Sequence, residues 1–108
     1  MYSKNHRPTK AQKEFWDWVA QQPCVFCGVR PVQIHHIIGA AGKENKIHIG
    51  QWLVLPLCPK CHDDWMPNKH DQIHHHFILD ILKPYWRQFG EIPMNVNELM
   101  AIITWSRS

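Results

Sequence analysis

A long apolar run is missing from this sequence, and that absence removes two classes of protein at the outset. No hydrophobic stretch follows the initial Met; residues 1–13 are polar and basic. The expectation is therefore neither a secretory leader nor a membrane anchor, but a cytoplasmic chain. Internal repeats beyond a doubled Cys-x-x-Cys, low-complexity runs and interdomain linkers are also missing. With 108 residues and 44% hydrophobic content, the chain has room for one domain with a modest core. Strong charge of either sign is absent as well. The formal net charge is +3, which is compatible with nucleic acid without being diagnostic. Acidic residues are absent before Glu14, whereas Lys4, Arg7, Lys10 and Lys13 precede it. That arm either tracks phosphates or is a solvated tail.

Against this plain background stand four Cys and nine His. The cysteines form two pairs, Cys24-Val25-Phe26-Cys27 and Cys58-Pro59-Lys60-Cys61. Two residues between cysteines let both sulfurs of a knuckle face one ion, and thiolates suit tetrahedral Zn2+. A small core gains folding free energy directly from such a site. Cys24, Cys27, Cys58 and Cys61 are accordingly read as ligands of a structural zinc. Cys58-Pro59-Lys60-Cys61-His62 also spells a c-type haem attachment motif, but haem attachment needs an export signal and leaves the first pair unexplained. A thioredoxin-like redox pair would need a βαβ context. A zinc deaminase would need a His-x-Glu, which occurs nowhere in the chain.

The remaining pattern predicts a small α+β domain. Thr9 and Gln12 form a capping box that opens a helix with Ala11, Phe15, Trp18 and Val19 on one face, ended by Pro23. Val32-Gln33-Ile34 reads as a short strand running into His35-His36. Residues 38–50 read as a glycine-containing loop, and Trp52-Leu53-Val54-Leu55 as a second strand. Pro59 is suited to the start of a helix that carries His62. Ile73, Phe77 and Ile81 make a helical stripe, with Pro84 expected to break or kink the helix at its far end. Asn95 with Glu98 resembles a second capping box, and Val96, Leu99, Met100 and Ile103 form a third apolar face. Trp18, Trp52 and Trp86 are assigned to the core. His6 and His48 are read as structural, and His74-His75-His76 as a polar helix face.

Cys-x-x-Cys, then His-His-Ile, a glycine-rich loop, an apolar strand and Pro-Leu-Cys-x-x-Cys-His-Asp together resemble a zinc-supported HNH endonuclease. The nearest branch is the phage and prophage group of Ref-like, RecA-dependent recombination-enhancement nucleases. The resemblance covers about residues 23–77. It implies a zinc-stapled ββα-metal core over 23–77, preceded by a basic arm and helix (1–22) and followed by packed helices (78–108). It also implies hydrolysis of DNA phosphodiesters in the bacterial host of a phage or prophage. In that pattern His36 matches the general base, and His35 and His62 match ligands of a catalytic divalent ion. Gln51 takes the place of the middle Asn or Asp, one methylene longer. Met66 stands where some relatives carry another His, and His70 and His74, one helical turn apart, are substitutes.

The implied cofactors are structural Zn2+ and catalytic Mg2+ or Mn2+, with zinc or nickel open for a histidine-bound site; no small-molecule cofactor or membrane is implied. DNA is the implied partner, with a RecA-type filament as a second one, and Lys43 and Lys46 are candidate phosphate contacts. Two other readings stay open: a non-catalytic zinc-stabilised DNA-binding module and a recombinase-docking adaptor that uses its Trp-rich helices.

Overall fold

The structure, a computed structural model, describes residues 7–63 and 76–107. The chain order is α1 (Lys10–Ala20), β1 (Gln33–His36), β2 (Lys43–Glu44), β3 (Ile47–His48), β4 (Val54–Leu57) and α2 (Pro59–Asp63). A π-helical segment (Phe77–Leu82) then continues as α3 (Lys83–Phe89), and α4 (Val96–Arg107) comes last. This is the mixed helix and small-sheet architecture that the pattern implied.

The capping box at the start of α1 is present in both directions. Gln12 N–H donates to Thr9 Oγ1 at 3.1 Å, and Thr9 N–H donates to Gln12 Oε1 at 2.8 Å. Two otherwise orphaned amide donors are satisfied this way. Gln12, Phe15, Trp18 and Val19 form the buried face. Ala11, expected on that face, is exposed. The curled Gln12 side chain takes the inward position because it turns back to cap the helix.

β1 and β4 pair antiparallel, with Gln33 opposite Leu57, Ile34 opposite Pro56, His35 opposite Leu55 and His36 opposite Val54. Ile37 N–H extends the pairing to Leu53 O at 2.9 Å. β4 is buried along its whole length, which is why it reads as a continuous apolar run rather than an alternating one. It starts two residues later than expected. Trp52 N–H and Leu53 N–H both donate to Ile49 O (3.0 and 3.1 Å), so Gln51 and Trp52 lie in a turn before the strand. Pro56 fits inside β4 because its carbonyl accepts from Val25 N–H, 3.2 Å away. Its missing N–H therefore falls on the edge facing the first cysteine knuckle, not on the ladder with β1.

The loop between β1 and β4 contains a small hairpin, β2–β3, with Lys43 opposite His48 and Glu44 opposite Ile47. Asn45 and Lys46 both have positive φ (53° and 67°), as a two-residue type I′ turn requires. Gly50 lets the two ends of this loop pack: a Cβ there would run into the Gly39 carbonyl oxygen.

The main core gathers Phe15, Trp18 and Val19 of α1, Ile49 and Trp52–Leu55, Phe77, Ile81 and Leu82, and Ala101 and Ile102 of α4. Phe15 and Trp18 both meet the Tyr85 ring edge-on, at 5.5 and 5.1 Å, which ties α1 to α3. Pro84 does not end the helix. The turn before it widens instead, with Lys83 N–H donating to Ile78 O five residues back. That widening accommodates a residue with no N–H and a bulky ring.

Two expected core assignments are overturned in the C-terminal helices. Trp86 is 55% exposed, and α4 buries Ala101 and Ile102, while Val96 (71%) and Met100 (55%) face outward. α4 packs on the β2–β3 hairpin, and its buried face carries the small Ala101 beside Ile102. A face chosen by side-chain size misses that. The α4 capping box is present: Glu98 N–H donates to Asn95 Oδ1 at 2.7 Å and Asn95 N–H to Glu98 Oε1 at 3.1 Å.

Candidate metal centre and histidine site

The first knuckle is a tight turn closed by Gly28 N–H donating to Cys24 O at 2.8 Å. Gly28 adopts φ +79°, a conformation that a side chain would strain. Val25 and Phe26 pack with Leu57 and Cys58 in a second small apolar cluster, which joins the knuckle to the end of β4. Cys58 comes directly after β4, and Cys61 sits in α2. His62 N–H donates to Cys58 O (2.9 Å) and Cys61 N–H to Cys58 Sγ (3.4 Å), which curls the second pair around its first sulfur.

These two turns bring all four sulfurs together. The Sγ atoms of Cys24, Cys27, Cys58 and Cys61 lie within 4.8 Å of one another. Cys27 and Cys58 come as close as 3.4 Å, well beyond a disulfide bond, and all four cysteines are free. A tetrahedron of Zn–S bonds of about 2.3 Å has sulfur–sulfur edges of about 3.8 Å. The cluster fits a four-thiolate ion site with small adjustment, and zinc is the natural occupant.

The thiols also sense one another electrically. Burial pushes the Cys24 thiol up, but backbone N–H groups of Cys58, Cys27 and Phe26 directed at its sulfur outweigh burial and bring it down to about 6. Cys61 is pushed up to about 12, first by burial and then by the neighbouring sulfurs. One thiolate forms readily and its neighbour resists, which is the imbalance a bound cation removes.

Next to the thiols is a second constellation. Successive strand residues point to opposite sides, so β1 sends its two histidines to different partners. The His35 ring meets the His62 ring edge to face, with centroids 5.2 Å apart and planes at 81°. A strand histidine and a helix histidine are thereby brought together. His36 turns the other way: its Nε2 lies 3.0 Å from Gln51 Oε1. An amide oxygen only accepts, so this bond places the hydrogen on Nε2 and leaves the lone pair on Nδ1.

Gln51 is buried at 7% exposure, and its own carbonyl accepts from Trp16 Nε1–H at 2.7 Å. The Trp16 ring stands edge to face with His36 at 5.1 Å. Trp16 lies off the apolar face that periodicity picks out in α1, where the pattern offers it only as a second contact. Its contact to Gln51 spans 35 residues and leaves no trace in periodicity.

His35 and His62 both carry ring nitrogens, a donor type that divalent transition metals take. The Asp63 carboxylate lies 3.9 Å from His62 Nδ1 and adds an oxygen nearby. Imidazole donors suit nickel or zinc, whereas magnesium and manganese favour oxygen. Lys43 and Lys46 are exposed on the β2–β3 hairpin, an element apart from β1 and α2. His70 and His74 lie outside the described residues, as do Lys4, His6, Trp65 and Met66. Among the described residues, no helix is long and apolar enough to cross a membrane.

Fold and site together define a small α+β domain built over a four-cysteine cluster. The chain belongs to the family described as "Protein of unknown function (DUF968)", which it matches over residues 2–77. It is also similar to "Uncharacterized protein YdfU" of Escherichia coli (strain K12), with 38% identity over 55 residues. That stretch is 49% of this chain and 15% of the relative, so the chain spans a small part of that protein's length. No solved structure matches the chain. Neither match names an activity.

Proposed function

We propose that this protein is a metal-dependent endonuclease of the HNH, ββα-metal type that hydrolyses DNA phosphodiester bonds, in the manner of the Ref-like recombination nucleases it resembles. The observation that carries this reading is the split of the histidine pair. His35 meets His62 at 5.2 Å, while His36 is turned to Gln51 with Nδ1 left as a proton acceptor. The order strand, loop, strand, helix, with these histidines at the strand end and in the helix, supports a ββα-metal core.

His35 and His62 would hold the catalytic ion, Mg2+ or Mn2+, with zinc or nickel open for a histidine-bound site. When bound, the ion supplies charge neutralisation at the scissile phosphate. The chain's own chemistry centres on His36. Neutral imidazole takes a proton from the attacking water at Nδ1, the step a general base near pH 7 performs. Gln51 fixes the ring while this happens. The Cys cluster does no chemistry; it anchors the end of β4 and the start of α2, and so sets the position of His62. Lys43, Lys46 and the basic N-terminal arm hold flanking phosphates without reading sequence.

Incubation of supercoiled and single-stranded DNA with the protein, with and without Mg2+ or Mn2+, tests this. The expected outcome is metal-dependent nicking that falls by about 10²–10⁴-fold in His36→Ala, while zinc content and circular dichroism stay unchanged. DNA binding by both proteins with cleavage by neither would reject catalysis. The reading would then pass to a non-catalytic zinc-stapled DNA-binding or recombinase-docking module. Trp86, Val96 and Met100, exposed on the C-terminal helices, are the observation in favour of that alternative.

A further inference from the structure

The geometry points to Trp16 as a positioning residue for His36, which makes the N-terminal helix part of the candidate active site. The inference rests on the reading of His36 as the proton acceptor and extends it to what holds that ring. Three contacts form a closed chain. Trp16 Nε1–H donates to the Gln51 backbone carbonyl at 2.7 Å, Gln51 Oε1 accepts from His36 Nε2–H at 3.0 Å, and the His36 and Trp16 rings stand at 86° with centroids 5.1 Å apart. Gln51 is thus gripped at its backbone by Trp16 and grips His36 through its side chain.

The arrangement matters because of where Gln51 sits. It occupies a turn before β4, outside the ladder that fixes β1. The indole bond anchors this turn to α1, whose own rotation is set by Phe15, Trp18 and Val19 in the core. Without the indole N–H, the Gln51 carbonyl loses the bond that ties its turn to α1, and the turn gains freedom to move. The amide oxygen is then no longer held to one ring nitrogen. Reaction rates fall steeply when a proton acceptor is misplaced by as little as about 1 Å. Neighbouring turns of α1 cannot substitute for Trp16, since Ala20 faces solvent and Gln12 is committed to capping.

The test uses the zinc-loaded full chain and its Trp16→Phe variant, which keeps an aromatic ring and removes the donor. Nitrogen-15 long-range NMR, recorded with the ring neutral, should show His36 in the wild type as the Nε2–H tautomer, and a mixture of tautomers in the variant. Nicking at saturating DNA should slow by about tenfold in the variant while KM is unchanged. A general loss of fold would not produce that split. An unchanged tautomer together with an unchanged kcat would overturn the inference. So would an Nδ1–H tautomer in the wild type, a result that needs no variant to fold. If the wild type cleaves nothing with any divalent ion, the nuclease reading falls and the tautomer comparison alone decides whether Trp16 sets the ring.

Discussion

A methyl group added at Gly50 would run into the Gly39 carbonyl oxygen and stand 2.7 Å from Gly42 N and 2.9 Å from the Ala40 carbonyl carbon. All three are backbone atoms, so no side chain can rotate away to relieve the clash. Gly42 O already accepts from both Ile49 N–H and Gly50 N–H at 3.0 Å, and these bonds close the loop onto itself. Gly50→Ala should therefore lower unfolding stability by about 1–3 kcal/mol, measured by urea denaturation. It should also displace the neighbouring Gln51 and weaken its hold on His36. A stability equal to wild type would show that the loop closes differently. The same residue scale explains what was hidden in Gln51 itself. The extra methylene, which looked like a departure from the expected Asn or Asp, belongs to the arm that reaches His36. Only three-dimensional placement shows where that arm ends.

At the scale of elements, local signals were legible and packing was not. Both capping boxes could be read because their donors and acceptors lie three residues apart, and both are formed. The knuckles could be read for the same reason, since ligand spacing is local. Which face a helix buries depends on what it meets. Ala101 is buried while Val96 and Met100 face outward, and α4 packs on a hairpin that the sequence showed only as loop. Pro84 signalled a break or kink and is absorbed by a wide turn, the segment before it being held by Phe77, Ile81 and Leu82 in the core. α1 offers the direct test of a local signal with a distant consequence. Thr9→Ala removes the acceptor for Gln12 N–H and should cost about 1 kcal/mol of stability, read by thermal or chemical unfolding. Because α1 carries Trp16, the variant should cut cleavage by more than it cuts stability at a temperature where the protein remains folded. An equal fractional loss of folded protein and activity would argue that α1 serves the fold alone.

On the scale of the whole molecule, two chain segments far apart in sequence are closed over one group of sulfurs, and the histidines ride on those same segments. β4 enters the cluster and α2 leaves it; His62 is the residue after the last thiol, and β1, bearing His35 and His36, is paired with β4. Losing the ion should therefore loosen the fold and scatter the histidines together. Elemental analysis should give about one tightly held zinc per chain, and chelation or Cys61→Ser should cause cooperative loss of structure by circular dichroism. A full-stability fold without metal would reject the structural role.

Acidity provides a second approach with a fixed sign. Cys24 titrates at about 6 in the folded chain, below the ordinary thiol near 8.5. The stability its thiolate contributes is fully present above the ordinary thiol value, and it is lost as pH falls through about 6. Cys61 works in the opposite direction. Pushed up to about 12, its protonated form favours the fold below the ordinary thiol range, an effect lost as pH rises towards 12. A zinc ion held by the four thiolates would displace both protons, so acid would compete with the ion for every sulfur at once. Zinc should accordingly be held through neutral pH and released on acidification, at a pH that falls as free zinc is raised, measured with a zinc-responsive dye alongside circular dichroism. If the fold melts while zinc is still bound, the cluster is a passenger on a core stable for other reasons. If zinc and structure leave together, the four thiols are what keeps His62 beside His35.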